Sequence, residues 1–126
     1  MALTKTTATI WDTTTLTANA ADTVSSYVDL TDAYSAVVCL KLTNGATGPT
    51  VASAVGIQVG VDEDNDDDAD AAYNYGGLLS PGVGNAEVRS WVVEIPPAAE
   101  WVRTYAGRNT DQDVVVEAWV VKTTAL

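Results

Sequence analysis

The residues best suited to chemistry form an acidic run in the middle of the chain. Between Asp62 and Asp70 the sequence reads DEDNDDDAD, so almost every position carries a carboxylate. Calcium binds six to eight oxygen ligands in a flexible geometry, and acidic side chains at alternate positions can supply them. The run therefore predicts a weak calcium site, the one cofactor that the sequence suggests, at Asp62, Asp64, Asp66, Asp68 and Asp70.

The acidic run departs from the calcium loop of helix–loop–helix proteins. Such a loop carries glycine at its sixth position and a bidentate glutamate at its twelfth. Counted from Asp62 or Asp64, the twelfth position is Tyr73 or Tyr75, and the sixth is not glycine in either frame. The alternative is a solvated, self-repelling loop that keeps an acidic protein soluble. Both interpretations remain open at this stage.

Catalytic machinery is difficult to assemble from the rest of the chain. The sequence has no histidine, so no imidazole can serve as a base or as a metal ligand. Cys39 is the single cysteine, which excludes an internal disulfide and a cysteine-based zinc site. No serine lies in a G-x-S-x-G motif, and no phosphate-binding glycine loop opens a helix. We therefore expect that the protein is not an enzyme.

The charge of the chain argues against two classes of partner. The formal net charge is −11, and much of it is concentrated in the acidic run. Without a basic patch, we expect binding neither to nucleic acid nor to an anionic membrane. The basic residues are scattered over Lys5, Lys41, Arg89, Arg103, Arg108 and Lys122.

Tryptophan and tyrosine suggest sugar binding as an alternative function, because exposed aromatic rings can stack on sugar faces. The relevant side chains fall within predicted strands, where roles in the core or in subunit contacts are commoner. Carbohydrate recognition therefore stays as a second hypothesis. The aromatic residues concerned are Trp11, Trp91, Trp101, Trp119, Tyr73 and Tyr75.

The fold prediction starts from three strands between Ser90 and Lys122. The first ends at Pro96 and Pro97, because proline cannot donate a hydrogen bond to a neighbouring strand. The last strand alternates, which places Val114, Val116, Ala118 and Val120 on one face. Its other face, which is also mainly apolar, consists of Val115, Glu117, Trp119 and Val121. We therefore expect contacts on both sides of this strand.

The rest of the chain continues the same pattern of short strands. Asp12 to Thr14 is predicted to break the first strand, and Gly76-Gly77 to form a bulge. Gly56 and Gly60 are expected to leave a flat face that another backbone or subunit could approach closely. The further predicted strands are Leu3 to Trp11, Val24 to Leu30, Ser35 to Thr43, Ala54 to Val61 and Tyr73 to Leu79.

These observations predict an all-β fold, a single antiparallel β-sandwich or small jelly roll of about eight or nine strands. We expect one domain over residues 1–126. Apolar residues on the outward faces require a partner surface, and we expect Trp101, Trp119 and Val121 to provide an interface. The predicted core consists of Val38, Leu40, Leu42, Val55, Ile57, Val59, Trp91, Val93, Ile95, Val102, Val114, Val116 and Val120.

Several segments together resemble a known family. In chain order they are Leu40 to Val51 (LKLTNGATGPTV), Ile57 to Val59, Tyr73 to Gly77, Val92 to Pro96 and Ala106 to Val116. They resemble small β-rich virion proteins of tailed bacteriophages, of the kind described as capsid decoration, cement or head-fibre proteins. The resemblance covers most of the chain from about residue 36 onward, and the acidic run is its main departure.

The resemblance implies a non-enzymatic protein on the outer capsid surface of a virion. Its expected partner is the major capsid protein, which it would bridge as a homotrimer. An acidic loop suits the outside of a particle, because on the inside it would repel DNA phosphates. The alternatives are a virion adhesin or carbohydrate-binding module on a fibre, and a component of the tail tube or head–tail connector.

Overall fold

The computed structural model describes residues 3–18, 23–50, 52–61, 71–80, 82–107 and 111–125. These residues form β-strands joined by turns and loops, and this described part contains no helix that is long and apolar enough to span a membrane. The strands are β1 (Leu3–Leu16), β2 (Thr23–Val24), β3 (Val28–Asp29), β4 (Ala33–Asn44), β5 (Ala54–Val61), β6 (Ala71–Leu79), β7 (Val88–Glu94), β8 (Trp101–Gly107) and β9 (Val114–Ala125).

The strands form two antiparallel sheets that pack face to face. The first sheet has the order β1-β9-β4-β7. The second has the order β2-β8-β5-β6, and β3 also pairs with β8. The predicted all-β sandwich is therefore confirmed, with a strand number in the predicted range. The last three strands of the chain are not neighbours, because β7 and β9 lie in the first sheet on either side of β4, whereas β8 lies in the second.

The core lies between the sheets and follows the alternation of the strands. Val114, Val116 and Val120 of β9 are fully buried, as predicted, and Ala118 on the same face is fully buried as well. The other predicted core residues are also buried except Trp91 and Val93, which are half-buried and pack against the core. Both lie on β7, an edge strand that has a neighbour on one side only among the described strands. The core also contains Trp11, Leu16, Leu30, Ala36, Ala54, Ala99 and Ala106.

Two strand boundaries differ from the prediction. The break expected between Asp12 and Thr14 is wrong, because β1 continues through it with two shifts of register against β9 and a positive φ of 43° at Thr13. The single strand expected from Val24 to Leu30 is instead divided into β2 and β3. Between them, the Ser25 hydroxyl accepts a hydrogen bond from the Thr104 backbone N–H at 3.0 Å and so replaces a backbone acceptor.

The bulge predicted in β6 is confirmed. Tyr75 pairs with Ile57 and Leu79 with Val55, so three residues of β6 lie opposite one residue of β5. Such an insertion bends a strand and increases its twist. The bulge lies in β6, the strand next to β5. The sheet that contains both strands turns one face away from the core, and that outward face is a candidate binding surface.

Candidate functional site

Each sheet turns one face to the core and the other away from it, so the two outward faces are the candidate binding surfaces. On the first sheet the register aligns Thr9, Trp119, Cys39 and Val92 in one row across β1, β9, β4 and β7. Val92 is 69% exposed, whereas Trp119 and Cys39 are half-buried between their neighbours. The row is apolar over three of its four strands.

The neighbouring row extends the apolar surface of the first sheet. Val121 of β9 pairs with Val37 of β4, and both are half-buried. We call Val37, Cys39, Val92, Trp119 and Val121 the apolar face. A patch of this kind with a polar rim is the usual composition of a protein-binding surface.

Charged side chains border the apolar face. Glu94 lies at one end, in register with Val37. On the other side, Lys41 and Glu117 pair with their Nζ and Oε2 atoms 3.8 Å apart. The apolar face is therefore bounded along the strand direction by charges of both signs.

The outward face of the second sheet has a different composition. Trp101, Arg103 and Tyr105 alternate along β8 and are half-buried. Directly opposite them on β5 lie Gly60, Gln58 and Gly56. A Cβ atom at Gly60 would overlap the Cε2 and Nε1 atoms of the Trp101 indole, and one at Gly56 would overlap the Cε1 and Cζ atoms of the Tyr105 ring.

Each aromatic ring on β8 therefore occupies the space above a glycine of β5. The expectation that Gly56 and Gly60 leave an open, flat face is wrong, because both glycines are buried. Rings from the adjacent strand of the same chain cover them. The alternation of β5 correctly indicates which residues point outward, but it contains no information on the neighbouring strand.

A row of polar side chains connects the strands between the two rings. The Arg103 Nε atom donates a hydrogen bond to Gln58 Oε1 at 2.8 Å, and Gln58 Nε2 donates one to Asn74 Oδ1 at 3.2 Å. The Arg103 Cζ atom also lies 5.2 Å from the centroid of the Trp101 ring, a cation–π distance. The Arg103 guanidinium group is thus held by both Gln58 and the Trp101 ring.

Tyr27 adds a third ring to this surface. Its centroid lies 5.6 Å from that of Trp101, with an angle of 39° between the ring planes. Its side chain is 65% exposed, far more than the two rings above the glycines. We call the set of Tyr27, Gln58, Asn74, Trp101, Arg103 and Tyr105 the aromatic face.

A charged loop borders the aromatic face beside Trp101. Asp29 pairs with Trp101 in the ladder, and its carboxylate accepts hydrogen bonds from the backbone N–H and the hydroxyl of Thr31. These two bonds, the backbone bond foremost, hold the pKa of Asp29 below its ordinary value of 3.8. Lys122 donates to the Asp29 carbonyl at 3.2 Å and to Asp32 Oδ1 at 2.8 Å, which connects β9 to this loop.

The predicted interface residues do not form one surface. Trp119 and Val121 lie side by side on the apolar face, whereas Trp101 lies on the opposite sheet. The predicted calcium ligands Asp62, Asp64, Asp66, Asp68 and Asp70 lie outside the described residues. Within the described ranges, no group of three or more acidic or cysteine side chains is arranged to hold a metal ion.

Sequence reasoning missed most members of both faces. A signal for the aromatic face was present, because the glycines at 56 and 60 and the aromatic residues at 101 and 105 share the same spacing of four. That signal has meaning only once β5 and β8 are known to pair. The outward position of Val92 and Cys39 followed from alternation, but their alignment with Trp119 depends on β9 lying next to β4.

Comparisons with known proteins identify the fold and no family. No protein-family model matches the sequence, and no curated protein matches it. A chain in the structure of infectious bursal disease virus, Gx strain, is similar with a TM-score of 0.59 and 11% identity, over 97% of this chain and 32% of that one. This chain thus spans about a third of the viral chain.

Two further solved structures are similar to the chain. A family 16 carbohydrate-binding module is similar with a TM-score of 0.51 and 9% identity, over 88% of this chain and 74% of the module. A protein of Bacillus endospore appendages, which form disulfide-linked pili, has a TM-score of 0.41 and 12% identity, over 98% and 88% of the two chains. At such identities the viral and carbohydrate-binding structures show a common β-sandwich fold and nothing finer.

Proposed function

We propose that the protein is a non-enzymatic structural protein of a phage virion, which decorates and stabilises the outer surface of the capsid. The observation that carries this proposal is the apolar face. Trp119 and Val121 lie there beside Val37 and Cys39, and Val92 extends the surface with a largely exposed side chain. An apolar surface with a charged border favours a protein partner, which in this proposal is the major capsid protein.

Charge and fold support the same role. The chain carries a net charge of −11, which suits the outside of a particle better than a surface that faces packaged DNA. The similarity to a chain of a virus structure supports the proposal at the level of fold, since β-sandwiches are common building units of virus particles. The resemblance of the sequence segments to phage decoration proteins adds the expected homotrimer.

The proposal is tested by rebinding the purified protein to capsids from which it has been stripped. Val92→Asp places a charge on the exposed part of the apolar face, and we expect it to lower rebinding at least about tenfold, because an unpaired charge must then be desolvated in the interface. The matched control is Val24→Asp, since Val24 is 52% exposed on the other sheet. Equal rebinding by the two variants would contradict the assignment of the face.

Two further measurements examine the role itself. Capsids without the protein should lose resistance to heat, and capsids that are equally stable with and without it would exclude a stabilising role. Light scattering of the purified protein should give the mass of a trimer. A ring of higher stoichiometry would instead support the alternative of a tail-tube or connector component.

A further inference from the structure

We propose that the aromatic face is a second binding site, on the sheet opposite the apolar face, and that its ligand is a neutral oligosaccharide. The proposal rests on the geometry of the second sheet and on the charge of the chain, and it does not depend on capsid binding. It concerns Tyr27, Trp101 and Tyr105 and the polar row between the rings, formed by Arg103, Gln58 and Asn74.

The rings of the aromatic face are held in position before any ligand arrives. Trp101 and Tyr105 occupy the spaces above Gly60 and Gly56, where any larger residue would collide with them. Side chains that are already ordered lose little further conformational freedom on binding, which raises affinity. A glycine under each ring is what such an arrangement requires, and β5 supplies one at both positions.

The polar row has the chemistry that a sugar needs between two rings. Arg103 and Gln58 lie midway between Trp101 and Tyr105, and their planar groups are oriented by the hydrogen bonds to each other and to Asn74. Sugars present C–H groups that pack on aromatic rings and hydroxyl groups that pair with planar amide and guanidinium groups. Both requirements are met on one surface, with polar contacts available to orient the ligand.

The spacing of the rings indicates an oligomer. Trp101 and Tyr105 are four residues apart on one strand, which corresponds to about 13 Å along the sheet. Several linked sugar units are needed to contact both rings at once, so a monosaccharide would leave one ring unused. The surface runs along β8, and an extended chain laid along this strand would pass from one ring across the polar row to the other.

Charge favours a neutral ligand on this face. Among the described residues that the register places there, the charged ones are Arg103 and Asp29, which have opposite signs. Arg103 is already bonded to Gln58, and the chain as a whole carries −11. A polyanion such as nucleic acid or an acidic glycan would be repelled by the molecule at long range.

The proposal is tested by calorimetric titration of the full chain with three hexasaccharides. Cellohexaose and mannohexaose are the neutral probes, and hexagalacturonate is the anionic comparator. We expect at least one neutral probe to bind, and Trp101→Ala and Tyr27→Ala each to lower the affinity, the former about tenfold or more. The matched control is Tyr34→Ala, because Tyr34 is 55% exposed, close to the 65% of Tyr27, but lies on β4 of the other sheet.

A second variant distinguishes the loss of the binding site from a failure to fold. Gln58→Leu keeps the size of the side chain and removes the polar row, so it should weaken binding while the thermal melt stays close to that of the native chain. The absence of binding to both neutral probes would overturn the proposal, as would binding that Trp101→Ala and Gln58→Leu leave unchanged. Preference for hexagalacturonate would also overturn it. A Trp101-dependent self-association without sugar binding would assign the face to a second copy of the chain instead.

Discussion

The two outward faces each carry a half-buried tryptophan on an interior strand of a sheet, and the neighbours of these residues make the faces different. Trp119 lies between Thr9 and Cys39, which have side chains of their own and continue toward Val92. Trp101 lies between Asp29 and Gly60, and its ring fills the space that the glycine leaves. The same residue type thus belongs to an apolar stripe on one sheet and to a polar and aromatic surface on the other.

This difference shows that the number of aromatic residues is a poor guide to their function. Cross-strand neighbours are the unit of surface composition in a sheet, because paired side chains lie about 5 Å apart. On the first sheet the neighbours are valine, cysteine and threonine, which suit a protein surface. On the second they are aspartate, glycine and glutamine, which together with the aromatic rings suit a ligand with both apolar and hydroxyl groups.

The largest expected effect tests the core that supports both faces. Ile57 is 3% exposed between the sheets, so Ile57→Asp should unfold the domain, because an unpaired buried charge costs several kcal/mol out of a total stability of about 5–15 kcal/mol. Circular dichroism during heating measures this. Gln58→Asp, at the adjacent outward position, should still melt cooperatively. A folded Ile57→Asp variant would show that the register of β5 is wrong.

A smaller effect should separate the two tryptophans. Gly60→Val forces the Trp101 ring out of its place, and we expect a loss of about 1–3 kcal/mol in the free energy of unfolding, as for other overpacked sites. Cys39→Val changes the equivalent neighbour of Trp119, which already has a side chain, and should cost less than about 1 kcal/mol. Urea denaturation compares the two. Equal effects would contradict the difference that we describe.

A third prediction compares an ion pair within one sheet with an ion pair that joins a strand to a loop. Lys122 has an 18% exposed side chain and joins β9 to the loop after β3, so Lys122→Ala should lower the free energy of unfolding by up to about 1 kcal/mol. Lys41, whose side chain is 43% exposed, pairs with Glu117 within the first sheet at 3.8 Å, and Lys41→Ala should have a smaller effect. High salt should reduce the difference between the losses in the free energy of unfolding of the two variants. A larger effect at Lys41 would contradict this ranking.

The smallest expected effect on stability occurs only at acidic pH. Because hydrogen bonds from Thr31 lower the pKa of Asp29, the stabilisation is present above the unfolded-state pKa of 3.8 and is lost as the pH falls through the lower folded-state pKa. The melting temperature of Asp29→Asn should therefore fall less than that of the native chain between about pH 4 and pH 2. Thr31→Val, which keeps the backbone bond, should be intermediate. Parallel acid curves for all three proteins would contradict the prediction.

Much of the fold could be predicted because it depends on local alternation. The period of two in β4, β5 and β9 identified the buried residues correctly, since successive side chains in a strand point to opposite faces. The exceptions lie where a strand lacks a neighbouring strand on one side or where its pairing is irregular. Trp91 and Val93 are more exposed than expected because β7 is an edge strand, and the polar residues around Thr13 are accommodated by shifts of register against β9.

The candidate sites required information that alternation does not contain. Trp101, Trp119 and Val121 were recognised as outward-facing residues, but the sequence could not show that the first belongs to a different sheet from the other two. Gly56 and Gly60 were expected to leave an open surface. Because β8 pairs with β5, the rings of Tyr105 and Trp101 instead cover these two glycines.

The sequence by itself determined which side chains of each strand share a face, because that property depends only on the geometry of successive residues. Tertiary structure decided which strands are neighbours, since pairing brings together segments as distant as β1 and β9 and is chosen by the burial of all the strands at once. The apolar face and the aromatic face are products of that pairing. Their members come from separate strands and meet only in the folded sheets.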